Sequence, residues 1–204
     1  MKTEMLSAVS PDTIRRALEI LRAGGLVAFP TDTVYGVGAL AFDDEAVQSI
    51  YMAKDRPIEK AIPVLIGDME DLDKIAIDIP NMAKKLASRF WPGPLTILIP
   101  KKPSLPKAVS ATAAVGVRVP DHEIARALLR AAGPMAVTSA NVSGQASPTT
   151  AEQVFAQLGG RIELIIDGGK TPGGVPSTLV DCTGDEIRIL RQGPITEEEL
   201  RSVL

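Results

Sequence analysis

The sequence contains few of the residues that build disulfides, metal centres and aromatic surfaces. Cys182 is its only cysteine and His122 its only histidine in 204 residues. One cysteine can form neither an intrachain disulfide nor a cysteine-rich zinc site. Aromatic residues make up 3% of the chain. We therefore expect a core of Val, Ile, Leu and Ala, and no surface that stacks nucleic-acid bases on aromatic rings.

The sequence also lacks a strong charge excess and a long apolar run. It has 22 Lys and Arg against 25 Asp and Glu, which gives a net charge of −3. A general nucleic-acid-binding surface would need a basic balance, so an anion site must be a local cluster of cations. The sequence contains no run of about 18 apolar residues, the length that a membrane-spanning helix needs. Residues 1–10 lack the apolar region of a secretory signal. By elimination, we expect a cytoplasmic protein without a membrane partner.

Short apolar segments alternate with amphipathic ones, which predicts an α/β fold with a mixed sheet and flanking helices. The length fits one domain over residues 1–204, and no linker divides the chain. Strands are predicted at residues 26–30, 62–66, 95–99, 115–119, 135–138, 164–166, 179–181 and 187–190. Helices are predicted over residues 80–90 and 122–132, and after the capping residues Ser10, Asp43, Thr150 and Thr196. Residues 31–38 and 100–114 are expected to be loops.

Three features have a structural explanation that competes with a functional one. The segment Gly36–Ala41 has the spacing of a dinucleotide-binding fingerprint but starts several residues beyond the predicted strand, so we expect no nicotinamide or flavin. His122 lies between a strand and a helix, where capping or packing is favoured over a general-base role. Cys182 lies in an apolar strand, as is typical of a buried structural thiol. No group of Asp, Glu or His has metal-ligand spacing, so no resident metal site is expected.

A cluster of cations lies just past a predicted helix, in the segment KDRPIEK at residues 54–60. Pro57 favours an extended chain, in which Lys54 and Arg56 project to the same side. Arginine offers a bidentate fork and lysine a mobile point charge, a pair that suits a polyphosphate. A solvated charged loop fits the same residues equally well.

An arginine interrupts the apolar strand at residues 115–119. Val115, Val117 and Val119 share one face, and Gly116 and Arg118 share the other. A buried arginine is costly without an anionic partner, which is either an Asp or Glu of the protein or a ligand carboxylate. Gly116 beside it would let a ligand approach the backbone.

Hydroxyl-rich and glycine-rich segments lie next to the later strands. The segment TSANVSG at residues 138–144 follows a buried strand directly, at the end where open α/β sheets bind ligands. Residues 168–178 combine glycines with Ser177 and lead into another strand. No segment pairs a nucleophile with a base. The inventory of cations, hydroxyls and backbone amides suits phosphoryl or nucleotidyl chemistry.

Together these segments resemble the YrdC-like threonylcarbamoyl-AMP synthase family over about residues 21–191. Six motifs carry the resemblance: PTDTVYGVG at 30–38, KDRP at 54–57 followed by Lys60, PGPLT at 92–96, VRVP at 117–120, SANVSG at 139–144 and PST at 176–178. Each is weak alone, but their order is specific. A sister group of uncertain activity shares the early motifs and lacks the SANVSG element, so residues 139–144 favour the synthase.

The resemblance implies a twisted mixed sheet around a concave, basic cavity. It implies that L-threonine, bicarbonate and ATP give threonylcarbamoyl-AMP and pyrophosphate. Other proteins would then pass the threonylcarbamoyl group to an adenosine in tRNA. Mg²⁺ would arrive with ATP as the only cofactor, and any contact of this chain with tRNA is expected to be weak.

The resemblance also implies roles for motif residues. ATP would be held by Arg56, Lys60, Ser139, Asn141, Ser147 and Arg191. Threonine would be held by Thr33, Arg118 and Ser177, with Arg118 on its carboxylate. Lys54 and Arg56 would be catalytic: Lys54 would face the phosphates, and both would stabilise phosphate charge in the transition state.

Two departures from longer relatives accompany the resemblance. Those relatives carry a histidine where this sequence has Leu65, so one threonine contact is expected to be lost. They also carry a second domain and a linker that closes over the site, whereas this sequence ends at Leu204, so we expect a short, single-domain form. Two other functions fit the same residues: a module that binds double-stranded RNA or tRNA, and a nucleotide-binding protein of the sister group. The net charge of −3 and the scarcity of aromatic residues count against RNA binding.

Overall fold

The computed structural model describes residues 2–204, and its ten strands join one mixed sheet. The strands are β1 (Glu4–Ser7), β2 (Val27–Phe29), β3 (Gly36–Leu40), β4 (Val64–Leu65), β5 (Leu95–Pro100), β6 (Ala114–Arg118), β7 (Met135–Ser139), β8 (Leu164–Asp167), β9 (Thr178–Asp181) and β10 (Arg188–Arg191). The helices are α1 (Thr13–Arg22), α2 (Asp44–Lys54), α3 (Leu72–Ile75), α4 (Asn81–Phe90), α5 (Glu123–Ala132), α6 (Ala151–Leu158) and α7 (Glu197–Arg201). The predicted α/β class is confirmed.

The sheet runs in the order β1-β8-β2-β3-β7-β4-β6-β5-β9-β10. Four neighbouring pairs are parallel: β1 with β8, β8 with β2, β4 with β6, and β5 with β9. The other pairs are antiparallel, so the predicted mixed sheet is confirmed. Gly36 at the start of β3 pairs with Ser139 at the end of β7. This register brings the loop before β3 next to the hydroxyl-rich segment that follows β7.

Alternating side chains divide the apolar residues into two cores, one on each face of the sheet. Val27 and Phe29 of β2 join a smaller cluster with residues of α1 and α5, whereas Ala28 between them joins the main cluster. The main cluster contains residues of α2, α4, α6 and α7. The predicted flanking helices are therefore present, and they lie on both faces of the sheet. No helix formed by residues 2–204 has the length and apolar character needed to cross a lipid bilayer.

The same alternation creates an open floor on the α1/α5 face. On β4, β5, β6 and β9, the residues Val64, Ile97, Val117 and Val180 belong to the main core. Their neighbours Leu65, Thr96, Arg118 and Leu179 project to the other face and line a cavity. The main core therefore supports the floor of this cavity from behind.

The strand β3 lies inside the sheet between β2 and β7, although residues 31–38 were predicted as a loop. A Cβ at Gly36 would lie 2.7 Å from Val137 Cγ1, and one at Gly38 would lie 2.5 Å from the Ala136 carbonyl oxygen. Close packing against β7 therefore requires both glycines. Their dinucleotide-like spacing falls within a strand and does not open a helix. The short strand β1, which pairs in parallel with β8, was also not predicted.

The helix ends agree with the sequence at three predicted caps and differ at one. Asp43 and Thr150 accept hydrogen bonds from Ala46 N and Gln153 N, and Thr196 forms a capping box. The cap at Ser10 is wrong, because residues 8–12 form turns and α1 begins at Thr13. The predicted loop between β5 and β6 is confirmed, and Leu105 and Val109 anchor it in the core.

Candidate active site

A cavity of about 260 Å³ opens above this floor. Hydroxyl groups and guanidinium groups form most of its polar lining. Among the residues predicted from the sequence, it is lined by Thr33, Arg56, Arg118, Ser139, Ser177 and Arg191. These residues come from segments spread along the chain, and the sheet brings them together. Leu65, which the sequence analysis gave as a departure from longer family members, also lines the cavity.

The charge of the cavity is of one sign. Arg56, Arg118 and Arg191 line it, and no Asp or Glu within residues 2–204 does. The predicted concave, basic cavity is therefore present. Such a lining attracts anions such as phosphates and carboxylates.

Arg118 is 5% exposed and held by three groups of the protein. Its Nε donates to the Gly93 carbonyl at 3.0 Å, its Nη1 to Thr33 Oγ1 at 3.1 Å and its Nη2 to Asp32 Oδ1 at 2.5 Å. Burial lowers the pKa of Arg118, and Asp32 opposes this shift. Asp32 is thus its anionic partner within the protein. Since a guanidinium has five N–H groups, two remain for a ligand carboxylate.

Arg56 reaches the cavity from the loop after α2. Its Nε donates to the Lys60 carbonyl at 3.0 Å and its Nη2 to the Ala61 carbonyl at 2.9 Å. Burial lowers its pKa. The two carbonyls fix the plane of the guanidinium and leave its other N–H groups for a ligand in the cavity.

Arg191 and Ser177 also line the cavity and are bonded to each other. Arg191 Nε and Nη2 donate to the Ser177 carbonyl at 3.0 and 2.8 Å, and Nη2 also lies 3.1 Å from Ser177 Oγ. Ser177 Oγ lies 2.7 Å from Thr96 Oγ1 on the floor. The strand β10 therefore places its last cation next to the serine that precedes β9.

Lys54 is the main correction to the predicted site. It is 1% exposed and does not line the cavity; its ammonium donates to the Ser139 and Asn141 carbonyls. The sequence predicted an extended chain with Lys54 and Arg56 on one side. Lys54 instead ends α2, and the left-handed conformation of Asp55, with φ of 51°, redirects the chain before Arg56. In this structure Lys54 supports the segment after β7 and does not face the cavity.

Three other predicted ATP residues also lie outside the cavity lining. Lys60 is exposed, and Ser147 is half-buried. Asn141 is buried, with its Nδ2 donating to the Val142 and Gln145 carbonyls at 2.8 and 2.9 Å. Its Oδ1 is buried and has no partner within residues 2–204. The structure therefore does not bring these three residues into the lining of the cavity.

Several residues line the cavity without having been predicted as ligands. They include Thr31, Tyr35, Thr96 and Thr138. Thr96 could have been predicted by the reasoning used for Arg118, since it is a polar residue between apolar neighbours in a strand. Tyr35 instead links two loops: its hydroxyl donates to the Gly169 carbonyl at 2.7 Å and accepts from Gly168 N at 3.2 Å.

The remaining candidates do not enter the cavity. His122 forms no side-chain cap of α5, and burial lowers its pKa. Cys182 is buried, as predicted, and burial raises the pKa of its thiol to about 12. Among residues 2–204, no cluster of three or more His, Cys, Asp or Glu side chains is arranged to hold a metal ion.

The sequence and the fold both match known proteins. The Sua5/YciO/YrdC family model, described as "Telomere recombination", matches residues 19–193. A threonylcarbamoyl-AMP synthase from Bacillus subtilis is 45% identical over 205 residues, which cover 99% of this chain and 59% of that protein. The structure of P. abyssi Sua5 complexed with L-threonine superposes with a TM-score of 0.96 at 43% identity, over 99% of this chain and 61% of that one.

A second solved structure matches over its whole length. E. coli YciO superposes with a TM-score of 0.87 at 28% identity, over 98% of this chain and 100% of YciO. By contrast, this chain spans only about three-fifths of the synthase from B. subtilis and of P. abyssi Sua5, at 59% and 61%.

Proposed function

The chain belongs to the Sua5/YciO/YrdC family, and we propose that it forms threonylcarbamoyl-AMP and pyrophosphate from L-threonine, bicarbonate and ATP. One observation carries the proposal: three arginines line the cavity, and no carboxylate among residues 2–204 does. Its ligand must therefore be anionic, as ATP, bicarbonate and the threonine carboxylate all are. The similarity to a threonylcarbamoyl-AMP synthase and to a Sua5 complexed with L-threonine supports this choice of ligands.

The proposed reaction has two steps. The neutral amine of threonine and bicarbonate give a carbamate and water. A carbamate oxygen then attacks the α-phosphorus of ATP, the bond to the bridging oxygen breaks, and pyrophosphate leaves. The protein acts as a nucleotidyltransferase, since it transfers AMP to the carbamate. Such chemistry depends on positioning and charge stabilisation more than on a protein nucleophile.

Different residues of the cavity are proposed to bind different groups of the substrates. We assign the threonine carboxylate to the two remaining N–H groups of Arg118, and the phosphates to Arg56 and Arg191. Mg²⁺ arrives with the triphosphate as part of the substrate. We also keep the assignment to ATP of the other predicted residues, Lys60, Ser139, Asn141 and Ser147. Lys54 supports this site through the Ser139 and Asn141 carbonyls.

The product is a reactive mixed anhydride and must be used by another protein. We propose that proteins which transfer the threonylcarbamoyl group to an adenosine of tRNA consume it. The reaction would then take place in the cytoplasm, where ATP and tRNA are available.

The test is incubation of the purified chain with ATP, L-threonine and radiolabelled bicarbonate. We expect label in an adenylate and an equal amount of pyrophosphate, with both lost when threonine or bicarbonate is omitted. ATP turnover that does not depend on threonine would contradict the proposal and favour the sister-group activity. Tight RNA binding without ATP turnover would favour the binding module.

A further inference from the structure

Two threonines beside the cavity have hydroxyl protons whose directions are fixed by their neighbours. Thr31 Oγ1 donates to the Val34 carbonyl at 2.7 Å. Thr31 Oγ1 and Thr33 Oγ1 also lie 3.0 Å apart. A hydroxyl has one proton. Since that of Thr31 is committed to Val34, Thr33 must be the donor in the contact between the two side chains.

The acceptor sites of the pair are almost filled as well. Thr31 Oγ1 accepts from Thr33 N at 3.2 Å as well as from the Thr33 hydroxyl, which fills both of its lone pairs. Thr33 Oγ1 accepts from Arg118 Nη1 at 3.1 Å, so one lone pair remains. Thr33 is 2% exposed and lines the cavity. Toward a ligand it is therefore an acceptor and cannot be a donor.

A second pair of hydroxyl groups in the cavity lining, on Thr96 and Ser177, has a free donor instead. Thr96 and Ser177 share one hydrogen bond of 2.7 Å, and Arg191 Nη2 donates to Ser177 Oγ at 3.1 Å. Whichever hydroxyl donates in the shared bond, the proton of the other is left for a ligand. The cavity thus offers an acceptor at Thr33 and a donor at Thr96 or Ser177.

We propose that Thr31 is a positioning residue that holds Thr33 as an acceptor, so that the cavity selects a ligand bringing a donor there. This rests on the proposed function, in which the donor is the hydroxyl of threonine. Thr31 has no free donor or acceptor of its own, so it acts on the ligand only through Thr33. A ligand without a hydroxyl proton leaves the Thr33 lone pair buried and unpaired, which is costly.

The probe is 2-amino-3-fluorobutanoate, in which fluorine replaces the threonine hydroxyl. Fluorine is similar in size to the hydroxyl and cannot donate. We expect the wild-type chain to prefer threonine over this analogue by roughly 10- to 100-fold in kcat/KM. In Thr31→Val the proton of Thr33 is released and can turn toward the fluorine, so the preference should fall at least about fivefold. Thr31→Ser keeps the hydroxyl and should retain the wild-type preference.

A double-mutant cycle separates positioning from general support of the loop. In a Thr33→Val background, Thr31→Val should leave the preference unchanged within about twofold, because Thr33 is the group through which it acts. A preference that still changes in that background overturns the proposal. So does a wild-type chain that uses the fluoro analogue as well as threonine, even if Thr31→Val fails to fold.

The same experiment keeps the two proposals apart. If the wild type releases no pyrophosphate with threonine, the proposed function fails. The preference for threonine over the analogue is then measured as the ratio of their dissociation constants by calorimetry. A ratio near one would overturn the role of Thr31 independently of the proposed function.

Discussion

Arg118 and Asp32 form an ion pair of 2.5 Å at the cavity, with side chains only 6% and 12% exposed. Asp32 thereby supplies the partner that a buried arginine requires. Its second oxygen, Oδ2, is buried and has no partner within residues 2–204. The arginine is held in place before any ligand binds, which reduces the ordering cost of binding.

Replacing Arg118 by Ala should therefore affect both stability and substrate use. The carboxylate of Asp32 would remain buried without its partner, at a cost of about 3–5 kcal/mol in the free energy of unfolding. Use of threonine, serine and valine should weaken alike, because each carries the same carboxylate. Denaturant unfolding and KM for each amino acid are the measurements. A stable variant with unchanged KM would exclude the assigned role of Arg118.

Replacing Arg56 by Ala should abolish pyrophosphate release, and Lys should restore little of it. The Lys60 and Ala61 carbonyls hold the planar fork of Arg56, and a lysine ammonium cannot satisfy both carbonyls and a phosphate with the same geometry. Steady-state pyrophosphate release is the measurement. The exposed Arg15 of α1 is a matched control, and Arg15→Lys should behave as wild type. Near-normal turnover in Arg56→Lys would rule out a fork-specific role.

Lys54 should make stability depend on pH. Burial, with a smaller contribution from Arg56, lowers its pKa from 10.5 to about 7. Between these values the unfolded chain holds the proton and the folded chain does not, so stability rises with pH across the window, by at most about 1.4 kcal/mol per unit. Below about pH 7 both states are protonated, and the full penalty of burying the charge applies.

The Lys54→Met variant removes this titration, so its stability should lack the rise seen in the wild type between about pH 7 and about pH 10. The buried carbonyl of Asn141 and the half-buried carbonyl of Ser139 would also lose their donor, which lowers stability by about 1–3 kcal/mol for the buried one and by less for the other. Urea unfolding at several pH values is the measurement, with the exposed Lys84 of α4 as the site of the control Lys84→Met. Parallel pH profiles for wild type and Lys54→Met would contradict the lowered pKa.

The site should rank amino acids as threonine, then serine, then valine. Valine matches the shape of threonine but leaves the polar groups at Thr33 and Ser177 unpaired, at roughly 1–3 kcal/mol for one group. Serine keeps the hydroxyl and loses one methyl, at about 1 kcal/mol. ATP turnover to pyrophosphate with each amino acid and bicarbonate is the measurement. Valine equal to serine would mean that the cavity reads shape alone.

RNA binding by the isolated chain should be weak and should fall steeply with salt. The net charge is −3, and the cations that line the cavity are few and partly buried. Contacts between these cations and RNA phosphates would release counterions from the RNA, so the affinity should fall as the salt concentration rises. Titration of labelled tRNA at two salt concentrations is the measurement. Tight binding that salt does not change would support the RNA-binding alternative.

The sequence predicts that a charged residue in an apolar strand belongs to the site, but it does not predict which residue that charge contacts. Arg118 stands out as a cation in an apolar strand, which local alternation reveals. Its partner Asp32 lies 86 residues away, and only the assembled sheet brings the two together. The choice between a protein carboxylate and a ligand carboxylate therefore stayed open at the level of sequence.

The predictions that Lys54 faces the same side as Arg56 and that residues 31–38 form a loop were wrong because of the local backbone conformation. A spacing of two predicts one shared side only in an extended chain, and α2 continues through Lys54. The glycines of β3 have low strand propensity, so their segment resembles a loop until β2 and β7 enclose it. Helix starts with a capping side chain, such as that of Asp43, were predicted correctly because the cap is a local interaction.

Gly116 of β6 packs closely against two residues of the cavity wall. A Cβ there would lie 3.1 Å from Thr96 Cγ2 and 3.6 Å from Pro63 Cβ, and both residues line the cavity. The main core fills the other face of the strand, and packed cores yield little, so the floor cannot recede. A side chain at this position would therefore require Thr96 or Pro63 to shift, and with them the wall of the cavity. A single substitution at Gly116 can thus reshape the cavity although Gly116 itself does not line it.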